Sequence, residues 1–178
     1  AAAVPATLVL DPRTSSATAI GTFDGAIDPG TESFRDFPQW ADTTLRPLIE
    51  QNGSKRIAMF CTGGIRCEKA SSYLQQQGFG EVHHLRGGIL KYLEQVPEAE
   101  SRWQGECFVF DQRVALNHQL EPGVHSLCHA CGLPLSQSDR AEPSYIKGVQ
   151  CIHCMDRFSD ADRARFAMRQ QQFDQMST

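Results

Sequence analysis

The segment RIAMFCTGGIRCEKA, residues 56–70, is the clearest indication of the fold class of this 178-residue chain. Its first five residues, 56–60, predict a buried strand, and the glycine pair Gly63-Gly64 predicts a tight loop after it. Apolar residues at Ala70, Tyr73 and Leu74 then share one helical face, so a helix should follow and end near residue 78. A strand that enters a helix through a short glycine loop is typical of α/β proteins.

The same alternation of strands and helices continues on both sides of this stretch. Strands are predicted at residues 7–10 and 82–85, and helices at residues 40–51 and 88–93. Strands that alternate with helices need crossover connections, so we expect a mostly parallel sheet flanked by helices. Functional loops of such sheets lie at the carboxyl ends of the strands, which is where Cys61 lies.

The alternation stops beyond about residue 97, and this change predicts two domains. Residues 1–100 would hold the sheet, and residues 101–178 would form a small cysteine-rich, zinc-ribbon-like segment. Within the second part, residues 107–114 favour a single strand. Residues 159–176 predict a closing helix, because Ser159 suits an N-cap and two acids follow it in the first turn.

The composition is that of a soluble globular protein, with 40% hydrophobic and 21% charged residues and no apolar run long enough to cross a bilayer. Residues 1–5 lack the basic start and apolar core of a secretory signal, so no export is expected. A net charge of −4 gives no general attraction to phosphate backbones. Seven cysteines, four of them in two C-x-x-C pairs, favour metal binding in a reducing, cytoplasm-like compartment. No pattern specifies an oligomeric state.

The loop Cys61-Thr62-Gly63-Gly64-Ile65-Arg66 has the features of an anion cradle. Its glycines let successive N–H groups point inward, while the following helix adds partial positive charge and Arg66 adds a full one. These groups should lower the pKa of Cys61 and make it a nucleophilic thiolate. The alternative is a structural cysteine buried ahead of a glycine turn.

Cys67 directly follows this loop, in the first turn of the predicted helix. There it could act as a resolving thiol that traps an oxidised or persulfidated Cys61 as a disulfide. The alternative is a small apolar residue packed at the helix start, since free cysteine commonly behaves as a buried hydrophobe.

The pairs Cys128-x-x-Cys131 and Cys151-x-x-Cys154 have the spacing of a four-thiolate structural zinc site. Zinc would supply stability that a loop-rich segment of this size cannot obtain from a small core. The alternatives are free thiols or disulfides.

Several motifs together resemble the rhodanese superfamily over roughly residues 6–95. They are Asp11-x-Arg13, residues 21–27, the Cys61 loop and Leu85-x-Gly87-Gly88. A more specific resemblance rests on residues 61–69, the segment from Trp103 to Arg113, and the two C-x-x-C pairs. On these residues the chain resembles the rhodanese-like tRNA uridine hydroxylase family nearly to its C-terminus.

This resemblance implies oxygen-dependent hydroxylation of the wobble uridine of tRNA to 5-hydroxyuridine, with Cys61 as the essential residue. It implies tRNA as partner, dioxygen as co-substrate, and Asp11 and Arg13 as supports of the Cys61 loop. It also implies a further domain ahead of the rhodanese part. The sequence holds no flavin or nicotinamide fingerprint.

Two other functions fit the same residues. A rhodanese-type sulfurtransferase would carry sulfane sulfur on Cys61, because a persulfide anion needs the same cradle of N–H groups. A non-catalytic, zinc-stabilised module that binds RNA or protein would keep the loop without its chemistry.

Overall fold

A computed structural model describes residues 7–176 of the chain, so the expectation about residues 1–5 lies outside the described residues. The strands are β1 (Thr7–Leu10), β2 (Gly21–Phe23), β3 (Arg56–Met59), β4 (Glu81–His84), β5 (Trp103–Gly105), β6 (Cys107–Phe108), β7 (Ala115–Leu116), β8 (Ser126–Leu127) and β9 (Pro134–Leu135). The α-helices are α1 (Ser15–Thr18), α2 (Phe37–Trp40), α3 (Arg46–Asn52), α4 (Ile65–Gln76), α5 (Gly88–Gln95), α6 (Gln137–Ala141) and α7 (Asp160–Met176).

The central sheet is parallel, as predicted, with its strands in the order β1-β3-β4. Leu8 lies opposite Ile57, which in turn lies opposite Val82. An isolated parallel bridge joins Leu10 to Ile27 and extends the sheet beyond β1. The carboxyl ends of β1 and β3 therefore lie side by side, and the loops that follow them are neighbours.

Helices cover both faces of this sheet because its side chains alternate between two clusters. Leu10 and Ile57 belong to a core that also contains Leu45 and Leu74 from the helical segments on one side. On the other side, Ile89 and Leu93 of α5 pack with Phe60 and Trp103. The predicted α/β class with flanking helices is confirmed.

The predicted helix over residues 40–51 is longer and less regular than expected. It begins with α2 at Phe37, passes through a π-helical segment, Ala41–Leu45, and continues as α3. Pro47 lies in the first turn of α3, where it lacks an N–H and its ring would collide with a regular preceding turn. The wider π turn accommodates this proline. Gly53 ends α3 with a φ of 61°, as the predicted stop requires.

The described residues form two compact units. The first comprises residues 7–109 and 116–121, and the second comprises residues 110–115 and 122–176. β2 and β5 pair antiparallel within the first unit, and the buried Trp103 of β5 belongs to its core. The sheet-containing unit therefore extends beyond residue 100.

The second unit is built around the hairpin of β8 and β9 and the closing helix α7. Ser159 caps α7 by accepting a hydrogen bond from the N–H of Asp162 at 3.2 Å, and the Asp162 carboxylate accepts one from the N–H of Ser159 at 3.1 Å. The helix and its cap are those predicted.

The prediction of a single strand over residues 107–114 is wrong. β6 ends at Phe108, and the chain then turns on Asp111, whose carboxylate accepts a hydrogen bond from the N–H of Arg113 at 2.9 Å. Val114 follows with a φ of 63°, which no regular strand adopts. The local side-chain turn therefore overrides the apolar pattern.

Between residues 7 and 176, no helix combines the length and the apolar character needed to cross a membrane.

Candidate active site and metal centre

Cys61 follows β3 directly and lies in the loop that leads into α4. Gly64 is the N-cap of this helix and has a φ of 93°, a conformation that favours glycine. In this conformation the N–H of Gly64 points back and donates a hydrogen bond to Cys61 Sγ at 3.2 Å. Only 2% of Cys61 is exposed, so the sulfur lies among these donors and is largely shielded from water.

The pKa of the Cys61 thiol falls from 9.0 to about 5. The largest cause is the thiol of Cys67, which donates a hydrogen bond to the Cys61 sulfur. Burial opposes ionisation, but the backbone N–H groups of Cys67, Gly64 and Arg66 also favour the thiolate and outweigh it. Cys61 is therefore a thiolate at neutral pH, which makes it nucleophilic.

Cys67 lies against Cys61, on the first turn of α4, and is fully buried. Its pKa is raised far above the ordinary range, first because its S–H donates a hydrogen bond to the Cys61 sulfur and second because it is buried. The two sulfurs thus share one proton, which stays on Cys67. Its function as a resolving thiol stays a prediction.

Arg66 contributes to the cradle in a way that the sequence did not indicate. Its backbone N–H is among the groups that lower the pKa of Cys61, whereas its guanidinium charge lowers the pKa of Cys67. Elsewhere in the loop, the hydroxyl of Thr62 donates a hydrogen bond to the carbonyl of Phe108 at 3.1 Å. Gly63 is exposed, and Ile65 leaves 72% of its surface in solvent.

Helix α5 holds the loop from its other side, which sequence reasoning missed. The N–H of Ile89 donates to the carbonyl of Cys61 at 2.9 Å, and the N–H of Leu90 donates to the carbonyl of Thr62 at 3.2 Å. Helix-starting amides have no partner within their own helix, and here the loop supplies one. The pair Gly87-Gly88 was the available signal, but it predicted only the start of a helix.

Asp11 and Arg13 form a buried ion pair at the end of β1. The Arg13 guanidinium donates two hydrogen bonds to the Asp11 carboxylate, at 2.8 Å and 2.6 Å, and both side chains are almost fully buried. Thr22 donates a further hydrogen bond to Asp11 at 2.9 Å, and the guanidinium lies 5.2 Å from the ring centroid of Trp103. The structure thus ties the two predicted support residues to β2 and β5. That they support the Cys61 loop stays a prediction.

Cys107 is a third buried thiol in the first unit. Burial raises its pKa to about 11, although the charge of Arg13 and a hydrogen bond with Thr62 act in the opposite direction. Cys107 therefore stays protonated at neutral pH. Of the three thiols in this unit, Cys61 alone has a lowered pKa.

This difference predicts a distinct titration. Cys61 and Cys128 both have a lowered thiol pKa, so the Cys61 thiolate has to be isolated as the ultraviolet absorbance that Cys61→Ser removes, and this absorbance should rise through about pH 5. We expect the difference in absorbance between the unaltered chain and Cys61→Ser to be complete at pH 7. A difference that develops only above pH 8 would mean that the cradle does not stabilise the anion.

The four cysteines of the C-x-x-C pairs converge in the second unit and could hold a metal ion. Their sulfurs all lie within 4.8 Å of one another, with 4.0 Å between Cys128 and Cys154 and 3.8 Å between Cys131 and Cys151. A tetrahedral zinc site with Zn–S bonds of about 2.3 Å has S–S edges of about 3.8 Å. The donor set and its dimensions therefore fit zinc.

The first C-x-x-C pair occupies the turn between β8 and β9. Within this turn the N–H of Gly132 donates to the carbonyl of Cys128 at 2.7 Å, and Gly132 has a φ of 78°. Leu135, Cys128, Cys151 and Cys154 form a small buried cluster. The seven cysteines of the chain carry no disulfide.

Comparison with protein families matches residues 2–95 to the rhodanese-like domain. The match covers the sheet, α4, α5 and the Cys61 loop, so the chain belongs to the rhodanese-like domain family.

Individual relatives match nearly the whole chain. A protein of Synechococcus sp. (strain CC9605), named tRNA uridine(34) hydroxylase, is 86% identical over 171 residues, which is 96% of this chain and 52% of that protein. A protein of the same name from Parasynechococcus marenigrum (strain WH8102) is 80% identical over 174 residues, or 98% of this chain and 54% of that protein. The chain thus spans about half the length of these curated relatives. A crystal structure of a rhodanese-like domain from Anabaena sp. aligns with a TM-score of 0.40 and 24% identity, over 52% of this chain and 97% of that domain.

Proposed function

We propose that this chain carries the reactive cysteine of a tRNA uridine hydroxylase, which converts the wobble uridine of tRNA to 5-hydroxyuridine with dioxygen as co-substrate. The observation that carries the proposal is the Cys61 thiolate, with a pKa of about 5 in a ring of backbone N–H groups. Support comes from the name of the relatives that are 86% and 80% identical. The free thiols favour a reducing compartment such as the cytoplasm.

In this proposal the Cys61 thiolate adds to C6 of the uracil ring. The new C–S bond moves the electron pair of the C5–C6 double bond to C5, which becomes the nucleophile toward the oxidant. Dioxygen supplies one oxygen atom to C5, and the other leaves as water with two electrons and two protons from an external dithiol, which is oxidised to a disulfide. Loss of the C5 proton then expels the thiolate and restores the double bond. Cys61 is only 2% exposed, whereas Gly63 and Ile65 of its loop are exposed, and in this proposal the base approaches along these two residues.

Nucleoside mass spectrometry of tRNA tests this function directly. Unmodified tRNA is incubated with the chain and dithiothreitol, a dithiol reductant, under air and under argon, and its nucleosides are then analysed. We expect 5-hydroxyuridine only under air and only at the wobble position. Equal amounts of product with and without oxygen would contradict the proposed co-substrate, and modification of uridines throughout the tRNA would contradict the proposed site.

A sulfurtransferase activity is the second candidate, and the loop geometry gives it specific support. The N–H groups that face Cys61 would hold a persulfide anion equally well, and Cys67 lies close enough to donate a hydrogen bond to it. Formation of thiocyanate from thiosulfate and cyanide measures this activity. Rapid thiocyanate formation without tRNA hydroxylation would favour the second function over the first.

We also propose that Cys128, Cys131, Cys151 and Cys154 bind one structural zinc ion. Among the described residues of the second unit, the buried cluster around these sulfurs is small, and α7 buries no residue completely. Metal binding would therefore supply much of its folding free energy.

Metal removal should unfold the second unit selectively. We expect one zinc per chain by elemental analysis, and a strong chelator should make residues 122–176 sensitive to protease while the first unit stays resistant. Cys151→Ser should have the same effect without chelator. Cys61→Ser serves as the control, because its sulfur lies in the other unit and it should keep the full zinc content. Protease resistance of a metal-free chain would contradict a structural role for zinc.

A further inference from the structure

Hydrogen bonds from helix α5 orient the peptide groups of the Cys61 loop. A peptide group is planar, and its C=O and N–H point in opposite directions. The first amides of α5 bind the carbonyls of Cys61 and Thr62, at 2.9 Å and 3.2 Å. The peptide groups that join Cys61 to Thr62 and Thr62 to Gly63 are thereby fixed, and the next peptide group carries the N–H of Gly64 that donates to the Cys61 sulfur.

Gly88, the first residue of α5, lies directly against the backbone of the Cys61 loop. A Cβ atom at this position would lie 2.5 Å from the carbonyl oxygens of both Cys61 and Thr62, and 2.8 Å from the nitrogen of Gly64. These three atoms are all backbone atoms, so none can rotate away as a side chain would. A side chain at residue 88 would therefore displace the loop itself, including the N–H that faces the sulfur.

From this contact we infer that Gly88 is a positioning residue for the Cys61 thiolate: its missing side chain lets α5 hold the loop carbonyls so that the N–H of Gly64 faces the sulfur. The inference deepens the proposed function, because it rests on a thiolate at Cys61. Gly88 acts through the loop, and it requires neither tRNA nor oxygen for its effect.

The test is the pH titration of Cys61 in Gly88→Ala. The Cys67 thiol is the largest cause of the low pKa and can still donate to the sulfur, but displacement of the Gly64 N–H removes a further donor while burial continues to oppose ionisation, so the pKa should rise above about 5. A rise of about two pH units would lower the thiolate fraction at pH 6 about tenfold. The thiolate absorbance of Gly88→Ala is measured against the same variant carrying Cys61→Ser, so that only the Cys61 thiolate is observed.

Gly30→Ala provides the matched control. Gly30 has a φ of 68° and Gly88 a φ of 69°, but a Cβ atom at residue 30 would meet no atom within 4 Å. Both variants therefore place alanine at nearly the same positive φ, and only Gly88→Ala brings a Cβ atom against the loop. We expect Gly30→Ala to keep the low pKa. An unchanged pKa in folded Gly88→Ala, or an equal rise in Gly30→Ala, would overturn the inference.

If Gly88→Ala does not fold, amide hydrogen exchange in the unaltered chain decides the question. The N–H groups of Ile89 and Leu90 should exchange slowly although they lie in the first turn of a helix, because the loop carbonyls accept their hydrogen bonds. Rapid exchange of both would show that α5 does not hold the loop. Neither experiment uses tRNA, so each outcome is independent of whether hydroxylation is observed.

Discussion

Cys61→Ser is expected to abolish 5-hydroxyuridine formation. The cradle stabilises a sulfur anion with a pKa of about 5, whereas a serine hydroxyl stays protonated at any pH at which the protein is folded. Removal of a nucleophile of this kind typically lowers the rate by at least about 10³-fold. Nucleoside mass spectrometry of tRNA treated with the variant measures the loss, and thiocyanate formation should disappear with it.

Cys107→Ala is the matched control for this variant. Cys107 is buried in the same unit, but its pKa is raised to about 11 and its thiol is not available as a nucleophile. The Cys107→Ala variant should therefore lose some stability and keep most of its hydroxylation activity. Hydroxylation by Cys61→Ser at the rate of the unaltered chain would eliminate addition of this thiol to the base and would leave the chain with a different catalytic group.

The parts of the site that could be predicted from sequence are those set by short spacing. Gly63 and Gly64 after a strand predict inward N–H groups, and the structure has the Gly64 N–H at 3.2 Å from the sulfur. The two C-x-x-C pairs likewise predict a four-cysteine cluster, because the cysteines of each pair are local, and the first pair lies in the β8–β9 hairpin. The glycine pair and each C-x-x-C pair are patterns of residues within a few positions of one another, whereas the fold brings the two cysteine pairs together across nineteen residues.

The parts that could not be predicted depend on contacts between distant segments. The hydrogen bonds from Ile89 and Leu90 to the loop, and from Thr62 to the carbonyl of Phe108, join residues that are separated by between 28 and 46 positions. The pairing of β2 with β5 joins Gly21 to Gly105 in the same way. The effect of Arg66 through its N–H rather than its charge also follows only from the folded geometry. Such contacts leave no periodic signal in the sequence.

Asp11→Ala is expected to destabilise the first unit by about 3 to 5 kcal/mol, because it leaves the buried Arg13 charge without its carboxylate. Arg13 would keep its hydrogen bond to the carbonyl of Gly21 at 2.5 Å, but this one neutral acceptor cannot replace two bonds to an anion. Denaturant unfolding followed by tryptophan fluorescence measures the change, because Trp103, 5.2 Å from the guanidinium, and Trp40 both lie in the first unit.

The exposed pair of Arg56 and Glu81 is the control for this loss. Its atoms are 2.9 Å apart, close to the distances in the buried pair, but its side chains are 44% and 60% exposed. Glu81→Ala should therefore cost at most about 1 kcal/mol, because water solvates the arginine that remains. If Asp11→Ala and Glu81→Ala lowered the free energy of unfolding equally, the Arg13 charge would have to be solvated in Asp11→Ala.

The double variant Asp11→Leu/Arg13→Met distinguishes two contributions to the free energy of unfolding: the loss caused by an unpaired buried charge, and the stabilisation by the ion pair itself. Two apolar side chains at these positions leave no buried charge, so the double variant should recover a large part of the stability that Asp11→Ala loses. The Cys61 titration in the same protein then tests the predicted support of the loop. A stable double variant with the pKa still near 5 would mean that the pair acts on the fold alone, whereas a raised pKa would mean that Asp11 and Arg13 also hold the end of β1 in the position that the neighbouring loop requires.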